Sequence, residues 1–194
     1  MRKLRLAALL LLLFSPAVLS AGEEKAPPEA GDAFPAVTLP VPEAAEHREY
    51  LKIARETGHF EIDRIGAEIL IIEIFSMYCP HCQREAPAVN ALYERIETGA
   101  GLKGKVKLIG IGAGNSAYEV NVFREKYEVP FPLFPDPDYE IHGRLGDVRT
   151  PYFFAVALSE QGPDPVLYSE LGAIEAPERF LEQITRAAQT LPED

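Results

Sequence analysis

Residues 69–87 read ILIIEIFSMYCPHCQREAP and contain both cysteines of the 194-residue chain. The first seven residues, Ile69 to Phe75, form a nearly continuous β-branched run, which is typical of a central strand buried on both faces. From Pro80 onward, apolar residues recur every three or four positions, which predicts a helix, and proline suits its first turn because no backbone donor is needed there. Cys79 and Cys82 therefore lie at the junction between a buried strand and a helix.

Further elements follow this strand and helix in alternation. A second buried strand is predicted over 106–111, and Asn115 or Ser116 caps a helix that runs through Tyr127. Four prolines between 130 and 137 predict a break in the chain. The remaining predicted elements are a short helix over 139–145, an antiparallel hairpin of strands over 152–158 and 166–171, and a helix over 177–189. This order predicts an α/β fold with a central mixed β-sheet flanked by helices.

The region before residue 69 divides into three parts. Three basic residues and an apolar run that ends in small residues have the layout of a secretory signal peptide over 1–20. The run is short for a membrane span, but residues 4–19 could also act as an uncleaved anchor to the inner membrane. Residues 21–34 are interpreted as a flexible tether, and the domain is expected over 35–192. Its N-terminal extension is predicted to contain strand 37–39, helix 43–57 and strand 59–63.

The chain is acidic, with a net charge of −11 from 30 acidic and 19 basic residues. Cleavage after residue 20 would remove three positive charges and no negative charge, which takes the net charge to −14. Such a surface repels phosphate backbones and anionic headgroups, which argues against nucleic acid and membrane surfaces as partners. The roughly 174 residues that remain suit one domain, and we expect a monomer.

The cysteine pair allows several interpretations. Two cysteines this close make a poor structural staple, because the loop that they close is tiny and constrains little of the unfolded chain. A structural zinc site needs four ligands, and no second cysteine pair is present. Copper(I) carriage by Cys79, Cys82 and His142 stays an open alternative, since soft thiolates suit that ion. Reactive thiols fit the pattern best, so no metal is predicted.

A thiol placed just before a helix has a specific reactivity. Unpaired amides and the helix dipole stabilise the thiolate of Cys79, which lowers its pKa and makes it the nucleophile. Cys82, one turn further on, can attack the mixed disulfide that Cys79 forms with a substrate, which makes it the resolving thiol. Pro80 and His81 lie between the two thiols, and a partly positive imidazole there would further favour the thiolate.

The motif extends beyond the cysteine pair. Cys79, Cys82, Glu85 and Pro87 match the pattern Cys-x-x-Cys-x-x-Glu-x-Pro, and Thr150-Pro151 precedes the predicted hairpin. These features resemble the thioredoxin superfamily, and within it the exported TlpA/ResA-type thiol–disulfide oxidoreductases. The resemblance covers nearly the whole chain after the signal peptide. It implies a thioredoxin-like fold and no cofactor other than a redox-active disulfide formed by the two cysteines.

The resemblance also implies roles for particular residues. Pro151 would be a cis-proline opposite the disulfide, and Thr150 would offer its backbone to a bound substrate. Glu85 would lie near the thiols and could exchange a proton with them, the alternative being a solvent-exposed helix glutamate. Tyr78 stands where the family usually has tryptophan, and its flat ring could shield the site.

The residues and the resemblance together predict an exported, periplasmic enzyme that reduces disulfides in other exported proteins. A membrane thiol carrier would supply the electrons, and maturation of apocytochrome c is a candidate pathway. Pro80 and His81 are the pair found in DsbA-type oxidases, so a disulfide-forming oxidase stays an alternative, as does a copper chaperone. Ser76 and Cys79 faintly resemble the Thr-x-x-Cys of peroxiredoxins, which keeps peroxide reduction as a minor alternative. The glycine-rich stretch 109–115 lacks the spacing of a nucleotide loop and is interpreted as a flexible connection.

Overall fold

The computed structural model describes residues 26–158, 165–174 and 176–191. The predicted signal peptide and the first residues of the predicted tether lie outside these ranges. Within the ranges, no helix is long and apolar enough to cross a membrane. The elements in chain order are β1 (Thr38–Pro40), α1 (Ala45–Leu51), β2 (His59–Glu61), β3 (Ile69–Phe75), α2 (Pro80–Thr98), β4 (Val106–Ala113), α3 (Ala117–Tyr127), β5 (Leu133–Asp136), α4 (Glu140–Arg144), β6 (Tyr152–Ala157), β7 (Val166–Leu171) and α5 (Pro177–Gln189).

Five strands form the central sheet in the order β5-β4-β3-β6-β7. Strand β3 lies in the middle, parallel to β4 and antiparallel to β6. Strand β5 runs parallel to β4 at one edge, and β7 runs antiparallel to β6 at the other. The sheet is therefore mixed, and the predicted α/β, thioredoxin-like fold is confirmed. Strands β1 and β2 form a separate antiparallel pair in the N-terminal extension.

Two apolar layers cover the sheet, one on each face. Ile71 and Phe75 of β3 pack in the layer built with α2, α3 and α5. Ile72 and Ile74 point to the other face and pack in the layer built with the N-terminal extension. Strand β3 is buried along its whole length because helices and the extension cover both faces, which explains its continuous apolar run.

Two elements differ from the sequence-based prediction. The first helix spans only Ala45–Leu51 instead of 43–57, because Lys52 takes a left-handed conformation with φ +58° that ends the helix, and Ile53 beyond it is buried. Strand β5 lies where the prolines predicted a break. Proline is tolerated there because β5 is an edge strand, where a residue without an N–H costs little ladder pairing.

The end of the predicted tether packs against the domain. The N–H of Gly31 donates to the carbonyl of Val166 at 2.9 Å, and the N–H of Val166 donates to the carbonyl of Asp32 at 2.9 Å. The buried ring of Phe34 meets that of Phe154 with their centroids 5.4 Å apart. The folded part of the chain therefore begins a few residues before the predicted boundary at residue 35.

Candidate active site

The nucleophile predicted from the sequence sits at the start of α2. Strand β3 ends at Phe75, and a turn follows in which the N–H of Cys79 donates to the carbonyl of Ser76 at 3.0 Å. Cys79 is the N-cap of α2, and its Sγ accepts from the N–H of Cys82 at 3.4 Å. Pro80 occupies the first helical turn, as the sequence predicts, where its missing N–H costs nothing. The first unpaired amides of α2 thus face the sulfur of Cys79.

The surroundings of Cys79 lower the pKa of its thiol. Partial burial by itself raises that pKa, but hydrogen bonds with Thr150, with Cys82 and with the backbone of His81 outweigh it. The thiolate is the attacking form in disulfide exchange, so the lowered pKa increases the reactive fraction at neutral pH. The side chain is half-buried, which leaves the sulfur open to an incoming disulfide.

Cys82 has the opposite environment. Its side chain has no solvent exposure, and burial raises the pKa of its thiol well above the ordinary range. The negative charge of Glu73 adds to this rise. Cys82 therefore remains a protonated thiol at neutral pH and needs a proton acceptor before it can attack.

Glu73 is a functional candidate that the sequence analysis missed. It lies on β3, six residues before Cys79, and is 2% exposed. Burial raises its pKa to about 8, and the charges of Glu85 and Cys79 add to the rise. Among the described residues its Oε1 has no hydrogen-bond partner. A lone acidic residue in a strand buried on both faces is the signal that could have identified it, because buried carboxyls with raised pKa values are typical of functional sites.

The turn before β6 completes the site. The Thr150–Pro151 peptide bond is cis, the conformation that the resemblance implies. Sγ of Cys79 lies 3.3 Å from the backbone carbonyl of Thr150, the residue predicted to offer backbone to a substrate. Thr150 is half-buried and Pro151 is buried. The structure thus brings Cys79, Cys82, Thr150 and Pro151 together, as the sequence predicts.

Glu85 is buried, so the alternative of a solvent-exposed helix glutamate is wrong. Only 9% of the residue is exposed, and burial raises the pKa of its carboxyl. Its Oε1 accepts from the N–H of Ile174 at 2.6 Å, which ties α2 to the segment before α5. The charge of Glu85 affects the thiols only indirectly, because it raises the pKa of Glu73.

Two further predicted residues, His81 and Tyr78, lie beside the thiols in sequence and are exposed. Nδ1 of His81 lies 2.9 Å from Nη2 of Arg84. Tyr78 is 66% exposed, and its hydroxyl donates to Glu119 in the first turn of α3. The ring is therefore held towards α3.

Comparisons with known proteins agree with this geometry. The model of the AhpC/TSA family matches residues 30–169, which is most of the chain. The chain belongs to the AhpC/TSA family. It is a thioredoxin-like oxidoreductase of that family, which confirms the resemblance inferred from the motif. No curated protein sequence matches the chain significantly.

Three solved structures illustrate how this AhpC/TSA-family chain is built. A Chlorobium tepidum protein assigned as the thiol:disulfide interchange protein DsbE superposes with a TM-score of 0.61 at 16% identity, over 83% of this chain and 99% of that one. StoA from Bacillus subtilis superposes with a TM-score of 0.51 at 20% identity, over 66% of this chain and 90% of that one. A secreted disulfide oxidoreductase of Mycobacterium tuberculosis, homologous to E. coli DsbE, superposes with a TM-score of 0.50 at 18% identity, over 67% of this chain and 90% of that one. At these identities the likeness establishes the fold.

The AhpC/TSA-family fold places His142 in a different environment from the thiols. Its Nε2 lies 2.7 Å from the carbonyl of Val148, and its Nδ1 lies 3.2 Å from Oδ1 of Asp147. Within the described part of the chain, no group of three or more His, Cys, Asp or Glu side chains could hold a metal ion. The three-ligand copper site of Cys79, Cys82 and His142 is therefore not assembled in this structure.

Proposed function

We propose that the protein exchanges disulfides with other exported proteins through Cys79 and Cys82, and that it acts chiefly as a reductase. One observation carries the proposal: Sγ of Cys79, at the start of α2, lies 3.3 Å from the backbone carbonyl of Thr150. A reactive thiol beside an open stretch of backbone suits an extended polypeptide whose disulfide reaches the sulfur. The dithiol itself is the only redox group that this chemistry needs.

The first step is attack by the Cys79 thiolate on one sulfur of a substrate disulfide. A bond forms between Cys79 and that sulfur while the substrate S–S bond breaks, and the second substrate sulfur leaves as a thiolate and takes up a proton. The lowered pKa of Cys79 favours this step at neutral pH. Thr150 and Pro151 border the thiol, and we assign them to contact with the substrate backbone.

In the second step the Cys82 sulfur attacks Cys79 and releases the remaining substrate thiol. The Cys82 thiol must first lose its proton, and Glu73 is a buried carboxyl whose charge acts on Cys82 and whose own pKa is raised by the charge of Cys79. A group with a pKa of about 8 can accept that proton near neutral pH and pass it to the departing thiolate. Two electrons and two protons have then reached the substrate, and a Cys79–Cys82 disulfide remains.

A specific observation also supports the opposite direction of electron flow. The lowered pKa of Cys79 stabilises the reduced form, and a pair whose reduced form is stabilised is a better oxidant. The reduction potential decides between the two directions: a value of about −270 mV, as in thioredoxin, supports the reductase, and one of about −120 mV supports a disulfide-forming oxidase.

We infer the site of action from the N-terminal sequence and the partners from the proposed chemistry. The signal-like pattern over residues 1–20 supports export to the periplasm, cleaved or anchored through residues 4–19. One protein of the same fold, from Mycobacterium tuberculosis, is described as secreted. We assign exported protein disulfides, apocytochrome c among them, as substrates and a membrane thiol carrier as the electron donor. Cell fractionation of the full chain tests this placement.

Reduction of insulin disulfides tests the proposed activity. We expect Cys79→Ser to abolish the reaction and Cys82→Ser to stop it at a mixed disulfide on Cys79, which non-reducing electrophoresis detects. Thr98→Ser is a matched control, because the serine keeps the hydroxyl that bonds the carbonyl of Glu94 at the far end of α2. Unchanged insulin reduction in Cys79→Ser would rule out the proposal.

Peroxide reduction is a second candidate because the family model that matches is that of AhpC/TSA. A hydroxyl three residues before the reactive cysteine would have to point to the peroxide. Oγ of Ser76 instead lies 3.4 Å from Nδ2 of Asn115, at the side of the turn facing α3. Consumption of hydrogen peroxide at a rate comparable with insulin reduction would favour this second candidate.

A further inference from the structure

The turn that joins β3 to Cys79 is held from two sides by side chains. The N–H of Met77 donates to Oδ1 of Asn115 at 2.8 Å. Nε2 of Gln83 donates to the carbonyl of Met77 at 2.7 Å. Both backbone polar groups of Met77 are therefore occupied, one by the loop before α3 and one by the first turns of α2. We call these three residues the Met77 clamp.

Asn115 reaches the turn because the glycine-rich stretch before α3 has a definite shape. The side chain of Asn115 has no solvent exposure. A Cβ added to Gly112 would lie 3.1 Å from Cβ of Asn115 and 2.9 Å from Cγ2 of Val120, so glycine leaves the room that Asn115 fills. Gly114 has φ +65°, which favours glycine, and it lies against the ring of Tyr139. The stretch interpreted as a flexible connection is thus a support for Asn115.

The clamped turn is connected to the backbone of Cys79. The carbonyl of Ser76 accepts from the N–H of Cys79 at 3.0 Å. A shift of the peptide groups around Met77 would therefore move Cys79 relative to the amides at the start of α2.

We propose that Asn115 is a positioning residue for the Cys79 thiol, which it holds against the helix amides through the Met77 clamp. The inference deepens the proposed function and rests on it for its biological meaning. Asn115 does not touch the sulfur or a substrate, so it acts through the position of the turn. Gln83 supports the same turn from the other side, through the carbonyl of Met77, and is the second half of the Met77 clamp.

The effect of Asn115 can be separated from that of charge. The ionisable groups on the elements around Cys79 include Glu73 on β3, Tyr78 in the turn, His81, Cys82, Arg84 and Glu85 on α2, Glu119 on α3 and Arg149 before Thr150. Asn115→Ala keeps all of them and changes no charge. A change in the titration of Cys79 in this variant therefore reports geometry.

The experiment measures the rate at which iodoacetamide alkylates Cys79 in the reduced protein between pH 5 and pH 10. Cys82 does not compete because it is buried with a raised pKa. We expect Asn115→Ala to raise the pH midpoint of alkylation by about 0.5 to 1, as for the loss of one aligned hydrogen bond. Alkylation at pH 6 then slows by about 3-fold to 10-fold, while the rates at pH 10 converge.

Asn90→Ala is the matched control. Nδ2 of Asn90 donates to the carbonyl of Tyr127 at 2.9 Å, so it also ties α2 to the α3 region with an amide, away from the turn. We expect this variant to lose stability without a change in the alkylation midpoint. If Asn115→Ala fails to fold, Gln83→Ala removes the other half of the clamp from a half-buried position and decides the question.

An unchanged midpoint in the folded Asn115 or Gln83 variant would overturn the proposal, as would an equal change in Asn90→Ala. Alkylation needs no protein substrate, so the outcome is independent of the proposed function. A raised midpoint in a protein that does not reduce insulin would support the positioning role and reject the assigned activity. Normal insulin reduction with an unchanged alkylation midpoint would reject the positioning role and support the assigned activity.

Discussion

The two faces of β3 are built from one strand but differ in chemistry. On the face towards the N-terminal extension, Leu70, Ile72 and Ile74 are all fully buried aliphatic side chains. On the face towards α2, Glu73 places a buried carboxyl among apolar neighbours. Packing alone explains the first face, but burying a carboxyl without a partner costs free energy. The second face also holds Cys82, which indicates where the chemistry is carried out.

Ile72→Ala should give the largest change in stability and the smallest change in chemistry. Removal of a fully buried aliphatic side chain leaves a cavity, so we expect a loss of about 2–5 kcal/mol of unfolding free energy. Urea denaturation measures the loss. The alkylation midpoint of Cys79 should stay where it is, and a large change in it would show that the two faces are not separable.

Glu73→Gln, unlike Ile72→Ala, should change the chemistry of the site strongly. Glutamine keeps the shape of the side chain but cannot ionise, so we expect the attack of Cys82 on a mixed disulfide to slow by about 10-fold to 100-fold near neutral pH. The variant should also be more stable than the parent at pH 8, because a buried negative charge has been removed. At pH 4 the two proteins should be equally stable, which provides the control.

The stability of the parent protein should depend on pH through Glu73. Its pKa rises from 4.5 to about 8 on folding, so the unfolded chain gives up this proton first. The contribution of Glu73 is therefore fully present below about pH 4.5 and is lost as pH rises through about 8. A tenfold difference in proton affinity between the two states corresponds to about 1.4 kcal/mol. Urea midpoints from pH 4 to pH 9 measure the loss, and an equal loss in Glu73→Gln would assign it to other groups.

Glu85→Gln should produce the smallest effect of the series. The amide oxygen of glutamine can still accept from the N–H of Ile174, so the segment before α5 keeps its anchor. The negative charge that raises the pKa of Glu73 is lost, and we expect that pKa to fall by less than about 1. Carbon-detected NMR of the Glu73 carboxyl measures it. A loss of activity as large as in Glu73→Gln would assign Glu85 a direct role.

Patterns that depend on local backbone preferences were readable from the sequence. The bounds of β3 and α5, the capping residue Ser116 and the start of α2 at Pro80 agree with the structure. These elements have long apolar periodicity or a proline at the first helical position, so one signal dominates. Strand β5 was missed because its prolines are acceptable only at a sheet edge, and the edge is a property of the whole topology.

The active-site residues show the same division between local signals and tertiary contacts. Cys79, Cys82 and Pro151 were predicted because their motif is continuous or borders a predicted strand. Glu73 was missed because its role arises when β3 packs against α2, which brings the carboxyl near thiols six and nine residues away. Asn115 was set aside because its contact with Met77 spans 38 residues of sequence. Functions that depend on tertiary contacts of single polar side chains leave little local signal.

The most direct test follows the two phases of thionitrobenzoate release when the reduced protein reacts with Ellman's reagent. The first phase reports attack by Cys79, and the second reports attack by Cys82 on the mixed disulfide. We predict that the second phase accelerates with a midpoint near pH 8, the pKa of Glu73, and that Glu73→Gln slows this phase while leaving the first unchanged. A second phase with the same rate and the same pH midpoint in both proteins would contradict the assignment of Glu73 as proton acceptor for Cys82.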